Sequence, residues 1–150
     1  MAMMRGRCAR WALALGLAGT MALGACDEGS EGSQTAQIEV AGAWTTPFSD
    51  QAETISDAAW GTPDFMVDVV SFDNAANFAV TRNLATADYA PGKFNKNIWS
   101  EPSQAGFYYC TVAFGLDTAA AAEAADDSVA DANDLAGAGC GGFPWTHLTK

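Results

Sequence analysis

Hydrophobic and polar positions alternate in short runs from residue 37 to residue 115, and turn-forming residues divide the runs. Successive side chains of a strand point to opposite faces, so a period of two, rich in β-branched and aromatic residues, marks half-buried strands. The pattern predicts six strands, over residues 38–44, 52–56, 64–72, 77–83, 93–99 and 106–114. The third and fourth flank Asp73-Asn74-Ala75-Ala76 and read as a hairpin with a four-residue loop. In the fourth, Phe78 and Val80 share one face, while Asn77, Ala79 and Thr81 share the other. Pro91-Gly92 marks a tight turn before the fifth, in which Phe94, Lys96 and Ile98 alternate with Asn95, Asn97 and Trp99. The sixth, GFYYCTVAF, sets Tyr108, Cys110, Val112 and Phe114 against Phe107, Tyr109, Thr111 and Ala113. Apolar bulk on both faces places it centrally in the sheet or under a helix.

The period changes at residue 117. Asp117 at the N-cap, an alanine run and the stops Gly137 and Gly139 predict a helix over 117–134, of about three to four turns. Its apolar stripe is mostly alanine, with Val129 and Leu135, so it can approach a sheet closely while burying little. Phe143 and Trp145, in the closing GCGGFPWTHLTK, are candidates to plug the end of the core. The short connections exclude parallel crossovers, which need a dozen or so residues. The expected fold is therefore mainly β: a six-stranded, mostly antiparallel meander or small barrel with one C-terminal helix, in one domain over residues 37–150.

The first 36 residues follow a different pattern. Arg5, Arg7 and Arg10 precede an uncharged apolar stretch over 11–25, the build of a secretory signal. It is shorter than the roughly 20 residues of a membrane span. Leu23-Gly24-Ala25-Cys26 resembles the lipobox of bacterial lipoproteins. The resemblance implies removal of residues 1–25, a diacylglyceryl group on the Cys26 sulfur and an acylated N-terminus at Cys26. Two or three acyl chains anchor durably where one does not. Residues 27–36, DEGSEGSQTA, lack any large apolar side chain and read as a flexible tether. The implied location is the bacterial cell envelope, at the outer membrane or cell surface, although Asp27 resembles the inner-membrane retention signal of some enteric bacteria.

Maturation changes the cysteine and charge arithmetic. Cys8 leaves with the signal and Cys26 is consumed by lipid, so Cys110 and Cys140 remain and are expected to form one disulfide in an oxidising compartment. A structural zinc site needs about four ligands, and only His147 could join the two cysteines. All 18 acidic residues and only four of the seven basic ones lie after residue 25, giving a net charge of −14 with His147 neutral. Such a chain repels phosphate backbones, which argues against nucleic acid as a partner. Its acidity reads first as solubility and second as a divalent-cation requirement. Counting from Asp131, however, the EF-hand spacing fails at Leu135, Ala136 and Gly142. Asp126, Asp127, Asp131 and Asp134 thus read as a solvated face, and no metal or cofactor is expected.

Catalytic motifs are absent: there is no G-x-S-x-G, H-E-x-x-H or Gly-rich phosphate loop, and His147 is the only imidazole. Asp64, Asp68, Asp73, Glu101 and Asp117 could supply a hydrolytic carboxylate pair, but among so many acids chance pairs are expected. No catalytic residue is assigned. The tryptophans are the richest remaining feature, since an indole beside amides can stack sugars or line the mouth of a barrel. A domain poor in Leu and Ile also builds its core from such rings. Trp44, Trp60 and Trp99, with Asn95 and Asn97, are the ligand-facing candidates, and Trp99, sharing its face with the two amides, is expected to be half-exposed.

Gly42-x-Trp44 followed by antiparallel strands resembles the calycin group, lipocalins and avidins, which implies a ligand-holding barrel. YAPGKFNKNIW, GFYYCTVAF and GCGGFPW resemble an uncharacterised domain of small secreted bacterial lipoproteins, with no activity implied. The expected function is that of a lipid-anchored envelope protein with a non-enzymatic structural or binding role, whose partners are the membrane, through its lipid, and envelope proteins or glycans. A calycin-like carrier of a small apolar ligand or glycan is the alternative, and a carboxylate-dependent hydrolase the third.

Overall fold

The computed structural model describes residues 37–150; the signal, Cys26 and the tether lie outside the described residues. Eight strands follow one another as β1 (Gly42–Trp44), β2 (Glu53–Ile55), β3 (Ala59–Thr62), β4 (Phe65–Asp73), β5 (Phe78–Asn83), β6 (Phe94–Trp99), β7 (Gly106–Leu116) and β8 (Thr146–Thr149). Each pairs antiparallel with the next, in one sheet whose spatial order is its chain order. Across the remaining gap Thr149, the last residue of β8, meets Thr45, just after β1, and the two exchange backbone bonds of 2.8 and 3.1 Å. The sheet is thus a nearly closed up-and-down barrel of eight strands rather than six.

The two strands absent from the sequence pattern are short. β3 contains Gly61, at φ +139°, where a Cβ would collide with the Phe65 carbonyl. The tight passage from β3 to β4 therefore demands the residue that otherwise argues against a strand. β8 is four residues long and sits behind a run of turn formers. The segment 38–44 is a strand only from Gly42 onward. The β4–β5 loop is shifted by one residue, because Asn77 adopts a left-handed φ of 52° inside it.

Bulges also alter which residues face inward. Between Val69 and Ser71 the register of β4 slips against β5, so Val67 and Val69 point inward and then Phe72 does. β7 slips opposite Lys96 and Asn97, which turns Phe114 in toward the face of Tyr109 and Thr111 instead of the face of Cys110 that strict alternation gives.

One end of the barrel is dry. Ile38, Val40, Trp44, Ile55, Trp99, Phe107 and Leu148 form a single buried cluster there. Ile38 and Val40 come from a plug, residues 37–41, that closes this end. The plug is tied to the turns around it: Ile38 N–H donates to Asp57 Oδ1 at 2.8 Å, Glu39 N–H to Asn74 Oδ1 at 3.0 Å, and Asn74 Nδ2 to the Gln37 carbonyl at 2.8 Å.

The helix is much shorter than the alanine run suggests. α1 (Ala119–Glu123) is capped by Thr118, whose hydroxyl accepts the Ala121 N–H at 3.1 Å, rather than by Asp117. Beyond it, Asp126 and Asp131 accept the N–H groups of Ser128 and Asn133 at 2.9 and 2.8 Å. These local turns compete with helix continuation and win where the alanines end. The segment from α1 to residue 145 lies outside the barrel, with α1 against β5, β6 and β7. It is fastened by the Cys110–Cys140 disulfide (Cα–Cα 5.6 Å) and by buried Trp145, whose Nε1 donates to the Gly139 carbonyl at 2.9 Å. Phe143 is no plug: it is 72% exposed. Lys96, on the outer face of β6, is covered by this segment and reaches the Ala125 carbonyl at 3.0 Å and Asp127 at 2.7 Å.

Candidate functional site

The other end of the barrel is open. A cavity of about 420 Å³ occupies it, floored by Trp60 and Val67 and walled by the inward residues of β2 and β5–β7. Phe48, Phe65 and Phe114 stand at the rim, and Phe48 is 78% exposed.

Strand alternation delivers the walls. On β6, Asn95 and Asn97 point inward because Trp99, two residues further on the same face, belongs to the core. On β5 the register opposite them brings Thr81 and Asn83 inward, and on β7 Thr111. Buried amides need partners, and these bond to one another. Asn95 Nδ2 donates to Asn83 Oδ1 at 2.8 Å, Asn97 Nδ2 to Thr81 Oγ1 at 3.3 Å, and Thr111 Oγ1 to Asn97 Oδ1 at 2.6 Å. The network also reaches backbone: Gly115 N–H donates to Asn95 Oδ1 at 3.0 Å, and Asn83 Nδ2 to the Ala90 carbonyl at 3.0 Å. Three strands and the loop between β5 and β6 are thereby held in one fixed polar wall.

A carboxylate completes the site. Glu53, on β2, is only 5% exposed and accepts the Trp60 Nε1–H at 2.7 Å. Trp60 packs edge-on to Tyr109 with centroids 5.2 Å apart. Burial, reinforced by the neighbouring Glu53 charge, holds the Tyr109 phenol well above its ordinary value. Tyr109 is thereby held in its protonated form.

The five sequence candidates divide between the two ends. Trp60, Asn95 and Asn97 line the cavity, whereas Trp44 and Trp99 belong to the sealed core. Trp99 is 3% exposed, not half-exposed, and its Nε1 donates to Glu39 at 2.6 Å. Trp44 donates to the Val40 carbonyl at 3.0 Å. Glu53, Thr81, Asn83, Tyr109 and Thr111 were not singled out in the sequence, although one signal existed for the first. In Glu-Thr-Ile, a period of two puts Glu53 on the face of Ile55, and an inward Ile55 carries Glu53 inward with it.

Of the carboxylates considered for hydrolysis, only Asp64 lies at the cavity. Asp68 pairs with Arg82 at 2.7 Å, and Asp117 pairs with Lys93, which holds its carboxyl below the usual carboxylate range. Asp73 accepts the Ala75 N–H at 2.8 Å, Glu101 is exposed, and Asp64 sits at the cavity edge, accepting from Gln51 at 2.7 Å. His147 lies on the outside, stacked on Tyr108 with centroids 4.1 Å apart. Among the described residues no three His, Cys, Asp or Glu side chains gather as a metal site. In comparisons with known proteins, no family model, no curated protein and no solved structure matches this chain.

Proposed function

We propose that this protein is a lipid-anchored carrier of the bacterial cell envelope, at the outer membrane or cell surface, in which Cys26 bears the anchor and the open end of the barrel receives a small ligand. One observation carries the carrier reading: the roughly 420 Å³ cavity opens at one end of a barrel whose other end is plugged. That volume falls in the range of small-molecule sites, about 300–1,000 Å³. Its polar wall is bonded internally before any ligand arrives, so little ordering remains to be done on binding. The lipid anchor is supported by the lipobox-like Leu23-Gly24-Ala25-Cys26 after an apolar stretch.

Native mass spectrometry on the processed chain, released gently from membranes, tests carriage, with the denatured mass as control. A reproducible extra mass seen only under native conditions is the expected result, and a bare chain from every preparation would overturn it. For the anchor, Cys26→Ser is expected to abolish acylation and membrane association. A variant that stays processed and membrane-bound would refute it.

A further inference from the structure

We propose that the ligand of this cavity is a small organic cation, an amine or a quaternary ammonium compound; the proposal rests on the carrier reading and narrows it. Glu53 is the reason. A carboxylate withdrawn from water is costly without a compensating charge. The ion pairs among the described residues are Arg82–Asp68, Lys93–Asp117 and Lys96–Asp127, and Glu53 is in none of them. Its contacts are neutral: the Trp60 indole N–H at 2.7 Å and the Tyr109 phenol alongside. No Lys, Arg or His lines the cavity, and its second acid, Asp64, has the same sign. An anionic ligand would meet two negative charges and no positive one.

The aromatic lining agrees with the charge. Trp60 and Tyr109 flank Glu53, and Phe48, Phe65 and Phe114 ring the entrance. Ring faces are electronegative and attract cations, most strongly where water is displaced. The molecule already uses this contact twice outside the cavity, with Lys150 Nζ 3.6 Å from the Trp44 ring and Lys96 Nζ 5.1 Å from the Phe78 ring. The amide wall does not favour a neutral sugar, because Asn83, Asn95, Asn97 and Thr111 bond to one another or to backbone. The uncompensated charge is what a ligand has to answer.

Titration calorimetry on the full processed chain in maltoside micelles tests this with matched pairs of probes. Choline is compared with its neutral isostere 3,3-dimethyl-1-butanol, and tyramine with 4-propylphenol. At least one cation is expected to bind about tenfold more tightly than its isostere, with the preference shrinking as sodium chloride rises. Glu53→Gln is expected to remove the preference, bringing the cation's affinity down to that of its isostere. Equal binding within both pairs, no binding of either cation at millimolar concentration, or a preference that survives Glu53→Gln would each overturn the proposal. Should the variant fail to fold, the wild-type comparison decides alone. A native-only extra mass from a neutral compound, with no cation preference, would remove the cation and keep the carrier; a barrel that is empty and binds no probe would remove both.

Discussion

Along one face of β6 the chain presents Asn95 and Asn97 to the cavity and then Trp99 to the sealed core. Toward the plug, Trp99 joins Ile38, Val40 and Phe107, and its one polar atom is disposed of on Glu39. Toward the mouth, the same face carries amides whose polar atoms answer one another across three strands. The dry half satisfies the rule that buried polar groups be bonded, and the polar half does so except at Thr46, whose Oγ1 is buried beside the cavity without a partner. The dry half holds by displacing water from apolar surface, which is worth about 25 cal/mol per Å². The polar half holds by geometry, and each of its bonds yields only about 1 kcal/mol net. An open, rigid pocket therefore depends on a plugged and apolar opposite end.

Phe107→Ala strikes the dry half and should have the largest effect, a loss of about 3–5 kcal/mol in urea unfolding followed by tryptophan fluorescence. A smaller cost there than at Asn97 would break the comparison. Replacing Cys110 and Cys140 by serine comes next, at about 3.6 kcal/mol for a loop of this separation, in the chain-entropy model. Hydrogen exchange should rise mainly in residues 124–145, leaving the barrel strands protected and showing that the disulfide fastens the outer segment rather than either half of the interior. Asn97→Ala, in the wall, leaves the Thr81 and Thr111 hydroxyls short of a partner and should cost about 1–3 kcal/mol by the same unfolding assay.

Tyr109 supplies a pH test of the polar half. Its folded-state value lies above the ordinary 10.0, so the fold favours the protonated phenol. The contribution is fully present below pH 10 and is lost as alkali ionises the unfolded chain first. Stability should fall above pH 10, less so in Tyr109→Phe, and absorbance at the phenolate band should show one tyrosine ionising only as the protein unfolds. The smallest effect belongs to Phe48→Ala at the exposed rim, within about 0.5 kcal/mol in stability. Ligand retention in native mass spectra should nonetheless drop, separating what the mouth does from what the core does.

The sequence is legible where one rule acts alone. Alternation in 78–83 and 94–99 is regular, and those strands lie where the period places them, within a residue or two. It fails where two demands conflict at one residue. Gly61 serves a close backbone approach and so conceals β3, while the bulge of β7 reassigns Phe114 from the outer to the inner face. The alanine run has helix propensity, but the aspartates after it offer the backbone nearer partners, and the helix stops at Glu123. Trp99 among asparagines suggests a half-exposed platform only if a polar face is a wet one, and this one is buried. A barrel interior that bonds to itself reverses that inference, so Thr81, Asn83, Tyr109 and Thr111 belong to the same site as Asn95 and Asn97.

The Thr45–Thr149 bridge bears on how the molecule is built. The pairings from β1 through β7 join near neighbours and can zip up locally, β7 and β8 meet only across the outer segment, and this one spans nearly the whole domain. Rapid hairpins followed by one slow, distant closure is the expected order of folding. Until β8 emerges from the ribosome, the other seven strands form an open sheet with a free edge at each side, a template for pairing with other chains. Four residues, Thr146–Thr149, thus convert an aggregation-prone sheet into a barrel, and their late arrival makes this the step that a chaperone would act on.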